Sequence, residues 1–232
     1  MVIYFVYRMT PCQNTVTGGE AMPKGSPELT ATRKEEIINA CQQLYQTMSF
    51  KDITIKEIGN VTSFTRTSIY NYFHTKEEIF LALMQREYEQ WAAELLDYAA
   101  KRDAVTREDF ADFLAHSLEK REQLLKLLAM NHYDMEDNSR AECLVAFKVA
   151  YGASLNAMRS CLGKFFPETD QESFIFVFFP FLFGVYPYAV ATEKQLSAMR
   201  EAQVTFRMHT IYEMIHTCVL QLLGGISCNT QN

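Results

Sequence analysis

Apolar residues recur along this chain at three- and four-residue spacings, and strict alternation never persists beyond a few positions. The pattern is helical throughout. A first helix is predicted from about Thr32 to Met48, with Ile37, Ile38, Cys41, Leu44 and Tyr45 on one apolar face. Thr32 reads as its N-cap, and Glu35 three residues on completes a capping box. Phe50 and Ile53 follow in a short connection. Thr54 then caps a second helix, with Ile55 and Ile58 turned inward. Ser63 and Phe64 form a turn, and Thr65 caps a short third helix to about Tyr72. Thr75 caps a fourth helix, with Ile79, Phe80, Leu83 and Met84 facing the core. That helix runs to about Ala100, roughly 39 Å at the helical rise, long enough to leave one domain and enter another. Five more helices are expected at about 106–119, 121–133, 138–163, 170–191 and 199–223, separated by short polar breaks. The expected fold class is all-α.

Composition changes this picture at three points. Residues 1–21 do not resemble the rest of the chain: the apolar run Val2–Tyr7 is too short for a signal-peptide core, and no small-residue cleavage site succeeds it. They are expected to be an upstream extension or a disordered tail, with Met22 opening the globular part. The net charge of -6 argues against a protein that coats nucleic acid non-specifically. Residues 22–80 carry seven Lys/Arg against seven Asp/Glu, so the acidity lies entirely in residues 81–232. The six cysteines, at 12, 41, 143, 161, 218 and 228, form no C-x-x-C pair. Several lie in helical apolar patterns as small hydrophobes, which suits a reducing cytoplasm better than a disulfide framework.

The most informative chemistry lies in the third helix. Two short helices joined by a three-residue turn and packed on a longer one make a helix-turn-helix by geometry. Thr65, Arg66, Thr67, Ser68, Tyr70, Asn71 and Tyr72 place hydroxyl, guanidinium and amide groups on an eight-residue segment, while Ile69 and Phe73 alone anchor it. So little apolar area gains little by packing, and such groups suit base edges and phosphate oxygens. A merely solvated polar helix would look the same on composition alone. The longer pattern is more specific. Ile55-x-x-Ile58-Gly59-x-x-x-x-Phe64-Thr65-x-x-x-Ile69-Tyr70-x-Tyr72-Phe73-x-Thr75-Lys76-Glu77-Glu78-Ile79 resembles the DNA-binding signature of the TetR family of repressors across about residues 32–84.

The resemblance implies an N-terminal three-helix helix-turn-helix domain over 22–80 and a C-terminal helical bundle for ligand sensing and dimerisation over 81–232. It implies that Thr65 caps the recognition helix and donates to a phosphate. Arg66, Thr67 and Ser68 would face bases, and Arg66 suits a bidentate guanine contact. Tyr70 and Tyr72 would touch phosphates or a thymine methyl, and Lys76 and Thr54 would meet phosphates at the starts of their helices. Two positions depart from the family. Thr62-Ser63-Phe64 replaces a turn of small residues that includes glycine, and Thr67 replaces a glycine in the recognition helix.

Residues 101–223 match no motif that names a ligand. Phe174–Ala191 is eighteen residues without a charge and touches the length of a membrane span. Pro180, Gly184 and Pro187 inside it favour a buried or dimer helix instead. With the apolar stripe of the last helix (Phe206, Ile211, Tyr212, Ile215, Val219, Leu222, Leu223) it would form an intersubunit four-helix packing. Met130, His132, Tyr133, Tyr151, Met158 and Phe178 are candidate pocket residues for a lipophilic or aromatic effector, although such stripes are also plain core. The sequence thus points to a cytoplasmic, homodimeric regulator that binds a palindromic operator, most simply as a repressor, without cofactor or metal. An activator of the same fold is the alternative. A helical metal-dependent enzyme is the rival from another class, because His209, Glu213 and His216 share one helix face. No catalytic motif accompanies them.

Overall fold

A computed structural model describes residues 26–130, 132–205 and 207–224, so the expectations for residues 1–21 and for Phe206 lie outside the described residues. Among the described residues there are eleven helices and no strand. They are α1 (Pro27–Thr47), α2 (Ile55–Val61), α3 (Arg66–Ile69), α4 (Lys76–Ala100), α5 (Arg107–Glu119), α6 (Glu122–Leu128), α7 (His132–Asp137), α8 (Ala141–Phe165), α9 (Gln171–Ala189), α10 (Glu193–Glu201) and α11 (Ile211–Gly224).

Helix α1 starts one and a half turns before the predicted Thr32. Ser26 caps it by accepting from the Leu29 amide, and Pro27 occupies the first turn, where its missing N–H costs nothing. Thr32 instead lies inside the helix and donates to the Glu28 carbonyl. The expected face is buried: Ile37, Ile38, Cys41 and Tyr45, with Leu44 half-buried. Thr54 caps α2 by accepting from the amides of Lys56 and Glu57, and Thr75 caps α4 by accepting from the Glu78 amide.

Two predicted helices are each broken. The stretch 121–133 divides into α6 and α7, because the Met130 amide closes on Leu127 in a tighter turn. The stretch 199–223 divides at Gln203, whose φ of 54 is left-handed. The Val204 amide returns to the Met199 carbonyl there, the bond that closes a Schellman turn. α10 and α11 are therefore separate helices.

Helix α4 is the axis of the fold. Its first turns share a core with the N-terminal helices: Phe80 meets Tyr45 edge-on at 5.2 Å and Phe50 at 4.8 Å. Arg86 ties it to α1 through Glu35, Asn39 and Gln42. Helix α8 packs along its length, from Tyr88 beside Phe147 to Ala99, whose carbonyl accepts from Lys164, and α5 packs on α11. The expected division at residues 80 and 81 thus falls within one continuous helix, and buried residues form one contiguous cluster on both sides of it. The four described cysteines are free, and burial pushes the Cys41 thiol up to about 12 and Cys161 up to about 11, so both stay protonated as packing groups.

Helix α9 alone among the described residues is long and apolar enough to cross a membrane. One face is core, with Phe174, Ile175, Phe178, Phe179, Leu182 and Val185 buried. The opposite face leaves Phe176, Val177, Phe183 and Tyr188 exposed.

Candidate nucleic-acid interface and ligand pocket

The candidate reading head is built from α1, α2 and α3. Helices α2 and α3 approach closely at Gly59, where a Cβ would lie 3.4 Å from the backbone nitrogen and Cα of Arg66. The turn between them does not need glycine. Among the described residues the only non-glycine with positive φ is Gln203, so Ser63 adopts an ordinary conformation. Side chains hold the turn. The Thr62 hydroxyl lies within bonding distance of the carbonyls of Gly59 and Phe64, at 3.2 and 3.1 Å. The Ser63 amide donates to Glu36 of α1, and that bond holds the Glu36 carboxyl below its usual range.

Helix α3 is shorter than predicted, ending at Ile69 and running on through a turn to Tyr72. Ile69 and Phe73 are buried as expected and fix its inner side. Arg66, Thr67 and Tyr70 are exposed on its outer side, and Ser68 is half-buried. The Arg66 guanidinium donates to the Tyr70 hydroxyl at 3.2 Å and lies 5.8 Å from that ring, so the two side chains share one exposed face. Tyr72 is half-buried, with its ring 6.5 Å from Phe64.

Three of these side chains have partners within the chain. Thr65 occupies the N-cap position but makes no cap bond; its hydroxyl pairs with Ser68 Oγ at 3.2 Å. The Thr54 hydroxyl is committed to its own helix, accepting the two cap amides and bonding the Glu57 carboxylate. Lys76 is the most fully engaged of the three. Its ammonium donates to the carbonyls of Phe50 and Ile53, at 2.7 and 3.1 Å, and lies 4.1 Å from the centre of the Phe50 ring. It is thus a strut between α4 and the connection that precedes α2.

The second feature is a hollow of about 540 Å³ lined by Tyr88, Met130, His132, Tyr133, Glu136, Phe147, Lys148, Tyr151 and Phe183. It brings together four of the six expected pocket residues: Met130, His132, Tyr133 and Tyr151. Met158 and Phe178 do not line it; both are fully buried. Met158 lies seven residues beyond Tyr151, about 10 Å further along α8, and Phe178 packs against Phe174 and Phe179. The residues missed are Tyr88, Glu136, Phe147, Lys148 and Phe183. Phe147 precedes Tyr151 by four on α8 and Phe183 lies in the Phe-rich run, so both carried a signal; Tyr88, Glu136 and Lys148 had none. His132 Nε2 lies 3.0 Å from the Leu128 carbonyl and burial holds the ring below its usual range, which favours a neutral imidazole. Glu136 and Lys148 pair across the rim at 2.6 Å. The wall is therefore aromatic, with its two charges cancelling.

The proposed metal face does not converge. His209 pairs with Glu213 at 3.5 Å, whereas the His216 ring stacks on Tyr212 at 5.3 Å.

Comparison with known proteins adds to this geometry. Residues 85–230 match the family described as Tetracyclin repressor-like, C-terminal domain. The chain belongs to the TetR family of transcriptional regulators. It is also 26% identical over 101 residues to the HTH-type transcriptional repressor Rv1474c of Mycobacterium tuberculosis, covering 42% of this chain and 54% of that protein. The chain thus spans about half the length of that curated relative. Among solved structures, the fatty acid degradation regulator FadR from Bacillus halodurans superimposes with a TM-score of 0.55 at 18% identity, covering 88% of this chain and 99% of that one. At that identity the likeness is one of fold. The all-helical architecture and the family assignment expected from the sequence agree with these findings.

Proposed function

We propose that the chain is a homodimeric, cytoplasmic repressor whose α2–α3 pair reads a palindromic DNA operator and whose release follows binding of an apolar or aromatic effector in the α4–α7–α8 hollow. The observation that carries the DNA-reading part is α3 itself. Its inner side is fixed by Ile69 and Phe73, while its outer side presents Arg66, Thr67 and Tyr70 to solvent with Arg66 braced on Tyr70. A braced guanidinium has less freedom to lose on meeting a guanine edge. The surroundings are not basic, so affinity rests on a few placed contacts and on pairing of two heads. The dimer reading rests on the exposed apolar face of α9, where Phe176 is 58% and Tyr188 60% exposed in a single chain. Apposed α9 and α11 helices from two subunits would cover that face and set two heads about one DNA turn apart.

The test is selection of bound sequences from random duplex DNA by the purified chain. A two-fold symmetric sequence is expected; a pool that stays random refutes the reading. Titrating the selected complex with a library of neutral aromatic and lipophilic compounds then tests release.

A further inference from the structure

The turn between α7 and α8 is fastened to the reading head. Arg140 donates to the Glu78 carboxylate through Nε at 2.7 Å and a terminal nitrogen at 3.0 Å, and its backbone amide adds a third bond at 3.1 Å. The same terminal nitrogen reaches the Tyr72 carbonyl at 3.3 Å. Beside it, the Thr75 hydroxyl donates to the Asn138 carbonyl at 2.9 Å. Glu78 also accepts from the His74 amide at 2.7 Å, and its side chain is fully buried. These contacts hold Tyr72, His74 and the first turn of α4, the stretch by which the chain leaves the recognition helix.

The two helices joined by that turn are also two walls of the hollow. Helix α7 contributes His132, Tyr133 and Glu136, and α8 contributes Phe147, Lys148 and Tyr151. The Glu136–Lys148 pair is the bond that draws them together at the rim. Glu136 lies four residues before Arg140, so a displacement of α7 reaches the clamp through the three-residue turn 138–140.

We propose that Arg140, with Glu78, is the positioning residue that couples the hollow to the recognition helix: an occupant that parts Glu136 from Lys148 swings α7, lifts Asn138 and Arg140, and frees the exit of α3. The clamped state is the one that reads DNA. The inference rests on the effector-pocket reading above, and it concerns how that site is connected rather than whether it is filled.

Amide hydrogen exchange over residues 69–73, with and without the neutral lipophilic dye N-phenyl-1-naphthylamine, tests the coupling. The dye is expected to speed exchange there about tenfold in the wild type, within the range of ordinary allosteric couplings. Arg140→Met is expected to exchange fast without dye and to gain nothing from it, with Arg140→Lys between the two. Lys148→Met, which leaves the clamp atoms in place and lies at an exposed position, is expected to move exchange in the same direction. It also serves if Arg140→Met fails to fold. Wild-type exchange in a folded Arg140→Met, or in Lys148→Met, overturns the coupling. A dye that does not bind refutes the pocket reading alone, because the two variants still judge the clamp.

Discussion

Lys76 separates two physical roles that its position in the sequence cannot. At the start of α4 its ammonium could meet a phosphate, but in the structure it donates to the carbonyls of Phe50 and Ile53 and lies on the Phe50 ring. Lys76→Met keeps most of the stem and removes the charge. Each charge-assisted bond contributes about 1.5 kcal/mol at the low end, suiting a half-buried group, and the ring contact adds about 0.5 kcal/mol. The expected loss is therefore about 3.5 kcal/mol. For a chain of this size it corresponds to roughly 7–14 °C in Tm, read by circular dichroism. Binding to DNA should weaken to all sequences alike, because α2 is less well held. The dependence of affinity on salt should keep its slope, whereas a lost phosphate contact would reduce it by about 0.9. An unchanged Tm with a shallower salt slope would refute the strut and return the ammonium to the phosphate.

Three further outcomes rest on the same geometry. Phe176→Glu places a charge on an exposed position of a single chain, so the monomer should fold while the dimer separates; sedimentation that still shows two chains would exclude this face of α9 from the interface. Phe183→Ala should weaken N-phenyl-1-naphthylamine binding about tenfold, since a half-covered ring contributes on the order of 1–2 kcal/mol, whereas Met158→Leu should leave dye affinity unchanged. Burial alone would raise the Glu78 carboxyl, but bonds from Arg140 and the His74 amide hold it below its usual range. Its stabilisation is therefore present above the unfolded carboxylate range of about 4.3 and lost as pH falls through the folded value. Glu78→Gln should flatten that acid limb of the stability curve, and an identical limb in both proteins would show that Glu78 is not its source.

The sequence spoke clearly where a local signal decided the outcome. Thr54 and Thr75 cap their helices because a hydroxyl followed by helix-favouring residues satisfies amides within one turn. Ile69 and Phe73 are core because they are the only apolar groups on a polar segment. Local signals also misled where two competed: Ser26-Pro27 starts α1 ahead of Thr32-x-x-Glu35, and Gln203 ends α10 without a glycine. At the turn, Ser63 is held by Glu36, which is 27 residues away in sequence. The clamp was illegible for the same reason, since Glu78 and Arg140 are 62 residues apart and Arg140 stands in no recognisable motif. Pocket and core aromatics look alike in a sequence. Only packing shows that Tyr151 faces the hollow and Phe178 does not.

The central claim is that the exposed face of α3 reads bases, and the most direct measurement is a side-by-side selection from random duplex DNA with the wild type and Arg66→Ala. The wild type should enrich a symmetric sequence. Arg66→Ala should enrich the same sequence with preference lost at one position in each half, at a cost of about 1–3 kcal/mol on the wild-type site. The same preferences from both proteins, or equal losses on selected and random DNA, would contradict it.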